Sequence, residues 1–187
     1  IENTTQTFQY DVLVTDYTTG EPLPRVPIRW IDMKDGSAWD TRTELDGTLH
    51  LDLPPNRGFQ VTCALPGYIV TRKFISTDTA EPVWEIELAK IKTLNDKAFA
   101  DRLMGGTPFE IAGIEWNGNE DLTRATEIQL YDLVDFLKLN PDVFLEIRTH
   151  EDASAWGLYD VPNNRKSKVR SIELESFLLR AGVSPKQ

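Results

Sequence analysis

The sequence predicts two domains of different class: an all-β sandwich over residues 1–90 and, beyond a linker at 91–107, an α/β domain over 108–187 with helices on a sheet in the order βαβα. Three observations predict this. Apolar residues recur at every second position from residue 8 to about 88, the mark of half-buried strands. Turn signals interrupt that stretch at short intervals. Past residue 107 the period becomes helical, and strand-like and helix-like segments alternate. A length of 187 residues admits one large or two small cores, and the change of period favours two.

In the first half, Phe8, Tyr10, Val12 and Val14 open the alternation, followed by Val26, Ile28 and Trp30, then by Leu49, Leu51 and Leu53 around His50 and Asp52. Residues 59–65, 69–75 and 83–88 continue it, for about six or seven short strands, a number that suits an antiparallel sandwich. The turns "TTGEP" (18–22), "KDG" (34–36), "LDG" (45–47), "PPNRG" (54–58) and "PGY" (66–68) supply Gly, Pro, Asn and Asp where the chain must reverse. Residues 89–107 lose the alternation and approach Gly105-Gly106, which is taken as the boundary. Beyond it, Ile111, Ile114 and Trp116 suggest a short strand and "NGNEDL" a turn. A helix over 125–139 then places Ile128, Tyr131, Val134 and Leu137 on one side and stops at Asn140-Pro141, because proline cannot continue it. "VFLEIRT" alternates again, with Val143, Leu145 and Ile147 inward. A second helix starts near Asn163 or Asn164, carries Ser171, Leu174 and Leu178, and ends with Gly182 and Pro185.

Composition narrows the function. A formal charge of -10 opposes the phosphate attraction that drives nucleic-acid binding, so nucleic acid is not an expected partner. No apolar run reaches the roughly 20 residues that span a bilayer, and no signal peptide opens the chain. A sequence that begins with Ile is read as a processed or excised piece of something longer. The single cysteine, Cys63, stands in an alternating strand and reads as a small core residue.

The chemistry-bearing stretch is "THEDASAWGLYDVPNNRKSKVRS", residues 149–171. A metal site is weakly supported, because His150 and Asp152 can converge from an extended chain while Glu151 points away, and no cofactor is expected. Hydrolase chemistry is likewise weak: Ser154 and Ser167 are available, but nothing places either against His150, and the adjacent Glu151 and Asp152 do not oppose each other across a substrate. The residues better suit a pocket for a zwitterion. Asp152 lies just past a strand end, and Arg170 about two turns into the next helix; a carboxylate can take an ammonium while a guanidinium takes a carboxylate. The plainer alternative is that the two pair with each other or face water.

Two resemblances add to this reading. "VTDYTTGEPLPRVPIRW" and "TELDGTLHLDLPPNRGFQVTCALPGYI" resemble the carboxypeptidase regulatory-like family, with its Thr-Gly-x-Pro-Leu turn at Thr19 to Leu23, its Asp-Gly hairpin at Asp46-Gly47 and its Pro-Gly-Tyr at 66–68. The resemblance implies a transthyretin-like sandwich that serves as a non-catalytic spacer or interaction domain. Residues 109–183 resemble the OmpA-like peptidoglycan-binding domain. "IAGIEWNGNEDLTRATEIQLYDLVDFLKLNPDVFLEIRTHED" is similar to its first strand, first helix, Asn-Pro stop and the strand into its Gly-His-Thr-Asp motif, with Asp152 on the motif's Asp and Glu151 where the family has Thr. The family's Asn-x-x-Leu-Ser-x-x-Arg-Ala falls on Asn163, Lys166, Ser167, Arg170 and Ser171, so Lys166 and Ser171 depart from it; its next strand and Asn-Arg-Arg segment fall beyond Gln187. This resemblance implies a periplasmic, non-catalytic anchor in which Asp152 and Arg170, helped by Asn163, grip the diaminopimelate of peptidoglycan. The pairing of modules resembles the wall-anchoring end of outer-membrane-associated assemblies in Bacteroidetes, including type IX secretion, where further protein partners are expected. The alternative is an interaction module that keeps the fold but not wall binding, with Trp156, Leu158 and Tyr159 as its contact surface.

Overall fold

A computed structural model describes residues 7–78, 83–103, 108–149 and 164–187. The chain forms two compact units, residues 1–113 and 114–187.

The described residues of the first unit form seven strands: β1 (Phe8–Asp16), β2 (Pro27–Asp32), β3 (Ala38–Arg42), β4 (Thr48–Leu53), β5 (Gly58–Cys63), β6 (Thr71–Ser76) and β7 (Val83–Leu88). They make two sheets, β4-β1-β7 and β3-β2-β5-β6. The alternation that predicted these strands also selects the core. Val12, Val14, Ile28, Trp30, Phe59, Val61, Trp84, Ile86 and Leu88 are buried in one cluster between the sheets. Aromatic rings organise it: Tyr10 stacks on Trp84 at 4.7 Å, and Trp30 stacks on Trp39 while Phe59 meets both edge-on. The sandwich is not wholly antiparallel, since β1 pairs with β7 in parallel register, Val12 opposite Trp84. The Asp46-Gly47 turn requires its glycine: Gly47 has φ +79°, and a Cβ there would stand 2.6 Å from Pro22 Cβ.

Residues 91–103, expected as part of a linker, are folded onto this unit. A 3₁₀ turn (Ile91–Asn95) and helix α1 (Lys97–Leu103) bury Ile91, Leu94, Phe99 and Ala100, and the Phe99 ring packs against Tyr17 at 5.2 Å. The chain then returns along the backbone at 68–70: Val70 N–H donates to Glu110 O, Ala112 N–H donates to Tyr68 O, and Ile111 bridges Ile69. Ile111 was expected to open a strand with Ile114 and Trp116. It is instead spent on the first unit, because the backbone groups of Tyr68, Ile69 and Val70 need partners.

The second unit is helical. Its described residues contain α2 (Arg124–Leu139) and α3 (Asn164–Arg180) but no strand, so the expected βαβα layer is not what they form. Residues 143–149 do alternate, with Val143, Leu145 and Ile147 partly covered and Phe144, Glu146 and Arg148 exposed, but no ladder pairs them among the described residues; Leu145 N–H finds Gln187 O instead. Helix α2 starts at Thr123, whose hydroxyl accepts from Thr126 N–H, and stops at Asn140, whose side chain donates to Phe136 O. Its buried face is Thr126, Leu130, Leu133, Val134, Phe136 and Leu137, whereas Ile128 and Tyr131 stand exposed. Helix α3 contributes Phe177 and Leu178 to the core. It closes with a Schellman turn in which Gly182, at φ +91°, lets Val183 N–H reach Leu178 O and its own N–H reach Leu179 O.

Candidate functional site

Of the three residues expected to bind ligand, Arg170 lies in α3, while Asp152 and Asn163 lie outside the described residues, as do His150, Glu151, Ser154, Trp156, Leu158 and Tyr159.

Arg170 sits on the second turn of α3, where the helix faces the loop that precedes α2. That loop is the "NGNED" turn. Trp116 and Leu122 bridge across its base, Asn117 N–H donates to Asp121 O, and the Asn117 side-chain oxygen accepts from the N–H groups of Asn119 and Asp121. This network turns Glu120 into the left-handed region, φ +62°, a conformation that costs a non-glycine residue about 1–2 kcal/mol. The result is a carboxylate aimed at α3. Arg170 Nε–H donates to Glu120 Oε2 at 2.6 Å, and Lys166 Nζ lies 3.7 Å from Glu120 Oε1. The guanidinium also lies over the Trp116 ring, 5.3 Å from its centroid. Side chains of Arg170 and Glu120 are only 22% and 19% exposed, so their attraction is less screened than that of the surface pairs elsewhere.

A second tie brings the 143–149 run to the same part of α3. Thr149 Oγ1 donates to Ser167 O at 2.6 Å and lies 2.9 Å from Ser171 Oγ, so it is fixed one turn before and one residue after Arg170. Ser171, which replaces the alanine of the resembled motif, therefore has a structural use: its hydroxyl holds the end of the segment that leads towards Asp152.

Sequence reasoning singles out Arg170 but not its neighbours Glu120 and Trp116, which it reads as a turn residue and a strand residue. They lie 50 and 54 positions from Arg170, and the only local signal is the Asn-Gly-Asn run that makes a tight turn beside a tryptophan. The second histidine, His50, is on the first unit, where its Nδ1 lies 2.7 Å from Asp11 Oδ1 and the hydrogen bond and charge of Asp11 raise its pKa above the ordinary 6.5. Among the described residues no group of three or more His, Cys, Asp or Glu side chains could hold a metal ion, and no helix is long and apolar enough to cross a membrane.

No protein-family model and no curated protein matches the chain. Among solved structures, S.CueP is similar over 46% of this chain and 64% of its own, at 14% identity and a TM-score of 0.36. The Bacillus anthracis TIE protein is similar over 46% of this chain and 17% of its own, at 17% identity and a TM-score of 0.38. The C-terminal domain of the shaft pilin spaA from Lactobacillus rhamnosus GG is similar over 45% of this chain and 98% of its own, at 14% identity and a TM-score of 0.35. The chain thus spans less than two thirds of the first two, and all three likenesses are distant.

Proposed function

We propose that the protein is a non-catalytic anchor to the bacterial cell wall, in which Arg170 takes a carboxylate and Asp152 the ammonium of diaminopimelate in the wall peptide, helped by Asn163, while the sandwich acts as a spacer. The observation that carries this reading is the Thr149 tie. Thr149 is hydrogen-bonded to α3 at Ser167 and Ser171, on both sides of Arg170. Asp152 follows it by three residues, a reach of about 10 Å in a fully extended chain. The tie supports a site in which an acid and a base serve one zwitterion. The OmpA-like motif residues supply the choice of ligand. A periplasmic location and a role in an outer-membrane or secretion assembly follow from that likeness alone.

Two charge-assisted contacts of about 1.5–3 kcal/mol each give weak monovalent binding, which many sites in one wall mesh strengthen through effective concentration. The test is co-sedimentation of the whole chain with purified diaminopimelate-containing peptidoglycan at low salt. Wild type is expected in the pellet, and Asp152→Ala and Arg170→Ala in the supernatant. Wild type remaining in the supernatant refutes the anchor. A second reading, a protein-interaction module without wall binding, is favoured by the large apolar side chains that the second unit exposes, Phe144 at 78% and Leu139 at 71%. It expects wild type in the supernatant of the same experiment.

A further inference from the structure

We propose that Glu120 and Trp116 are positioning residues that set the guanidinium of Arg170 for a ligand carboxylate; this rests on the anchor reading and adds the groups that shape the anion-binding half of its site. A free arginine side chain surrenders rotamer entropy when it grips a carboxylate. Here two of its degrees of freedom are already fixed. Trp116 covers one face of the guanidinium, at 5.3 Å, and Glu120 accepts the Nε–H, at 2.6 Å. A guanidinium has five N–H donors, and among the described residues only the one on Nε is taken. The side-on grip leaves the two terminal nitrogens, with four N–H groups, as the edge that can form a fork with a second carboxylate.

Glu120 could instead act as a competitor that fills the ligand's place. Two observations favour positioning. A competing carboxylate gains most by taking the terminal fork, whereas Glu120 bonds the Nε edge. Its other oxygen faces Lys166, so the trio of Glu120, Lys166 and Arg170 carries one net positive charge and still attracts an anion. The strained φ of Glu120 fits the same account, since the Asn117 network holds that conformation in place and aims the side chain at Arg170.

The test measures wall binding of the intact chain for Glu120→Ala, Glu120→Gln, Trp116→Leu and Arg170→Ala, alongside the side-chain ¹⁵Nε–Hε resonance of Arg170, assigned by its loss in Arg170→Lys. Positioning predicts that Glu120→Ala and Trp116→Leu each weaken wall affinity about tenfold by loss of preorganisation. Glu120→Gln, which keeps an oxygen to accept the Nε–H, should fall between wild type and Glu120→Ala, and should keep the Nε–Hε proton protected from exchange where Glu120→Ala exposes it. Should Glu120→Ala fail to fold, Glu120→Gln decides alone: weaker binding than wild type supports the proposal. If Arg170→Ala releases the protein while the Glu120 variants bind as well as wild type or better, positioning is overturned and the anchor stands. If wild type itself does not bind the wall, the anchor falls and this proposal with it.

Discussion

Asp16→Asn is predicted to destabilise the sandwich by about 2–3 kcal/mol, the loss expected when a buried charged acceptor serving several donors is made neutral. Asp16 ends β1 and is 3% exposed. Its Oδ1 accepts from Thr18 N–H at 2.9 Å and Thr19 N–H at 3.2 Å; its Oδ2 accepts from Tyr68 Oη at 3.0 Å and faces Lys90 Nζ at 3.2 Å. One carboxylate therefore fixes the turn after β1, the Pro-Gly-Tyr turn and the residue that leads into the 3₁₀ turn. Burial pushes its pKa up, but the hydrogen bonds from Thr18, Lys90, Tyr68 and Thr19 outweigh that and hold it below 3.8. The amide keeps one oxygen for Thr18 and Thr19 but turns an NH₂ towards Lys90. The Lys90 side chain is 38% exposed, so its share is screened to about 1 kcal/mol or less, and most of the loss comes from the weakened bonds to the two backbone N–H groups and Tyr68.

For a unit of a little over 100 residues, 1 kcal/mol is about 4 °C in Tm, so a fall of roughly 8–12 °C is expected. The assay is urea unfolding of the whole chain at pH 7, followed by tryptophan fluorescence and far-UV CD together, because two units can unfold in separate steps. The pH dependence gives an independent check. A carboxyl whose folded pKa is lowered contributes stability that is present above its unfolded pKa, 3.8, and lost as pH falls through the folded value. The gap between wild type and Asp16→Asn should stay constant above about pH 5 and shrink as pH drops below 3.8. A difference within about 0.5 kcal/mol at pH 7, the usual range for surface changes, would refute the claim that Asp16 is a hub.

Two further predictions concern single groups. His50 gains an acidic partner, so the Asp11–His50 contribution is fully present below pH 6.5 and lost as pH rises through the raised folded pKa. An NMR titration should show the His50 midpoint return towards 6.5 in Asp11→Asn, and an unchanged midpoint would mean that the pair does not form in solution. Cys63 is buried, and burial pushes its thiol up to about 12, so at pH 8 it should resist thiol reagents in the native state and react only as the sandwich opens, at a rate that rises with urea. Labelling at the rate of a free thiol in the absence of urea would contradict this.

The sandwich was legible because its strands are half buried, and half burial writes itself as alternation. β3 was missed for the same reason: along Ala38–Arg42 only Trp39 is large and apolar, and the strand lies at a sheet edge with little to bury. Alternation reports burial and says nothing about pairing. At 143–149 it marked correctly which side chains turn inward, yet no strand forms there among the described residues. The face of α2 was misjudged through Thr126, a polar residue that sequence patterning assigns to the surface. Its hydroxyl accepts from Glu115 N–H and donates to Glu115 O, so it can be buried at 1% exposure, and the helix turns accordingly, leaving Ile128 and Tyr131 outside.

The same limit governs the site. A pattern spaced along one helix can be read from sequence, and Arg170 is chosen that way. What sets the behaviour of that arginine is a carboxylate 50 positions earlier, delivered by a turn whose left-handed glutamate has no counterpart in hydrophobic patterning. Lys166 and Ser171 are the two positions at which the helix departs from the motif it resembles. In the structure each has a partner that bears on Arg170: Lys166 faces the free oxygen of Glu120 and keeps the cluster net positive, and Ser171 holds Thr149 at the turn where the arginine stands. These substitutions are therefore better tested as a group with Glu120 than one at a time. Under the anchor reading, Lys166→Leu alone should weaken wall binding by leaving the Glu120 charge offset only by Arg170, and Lys166→Leu combined with Glu120→Gln should bind no better than Lys166→Leu, because the carboxylate that positions Arg170 is lost with its charge. Binding equal to wild type by all of these forms would mean that the acid beside Arg170 serves the fold and not the ligand.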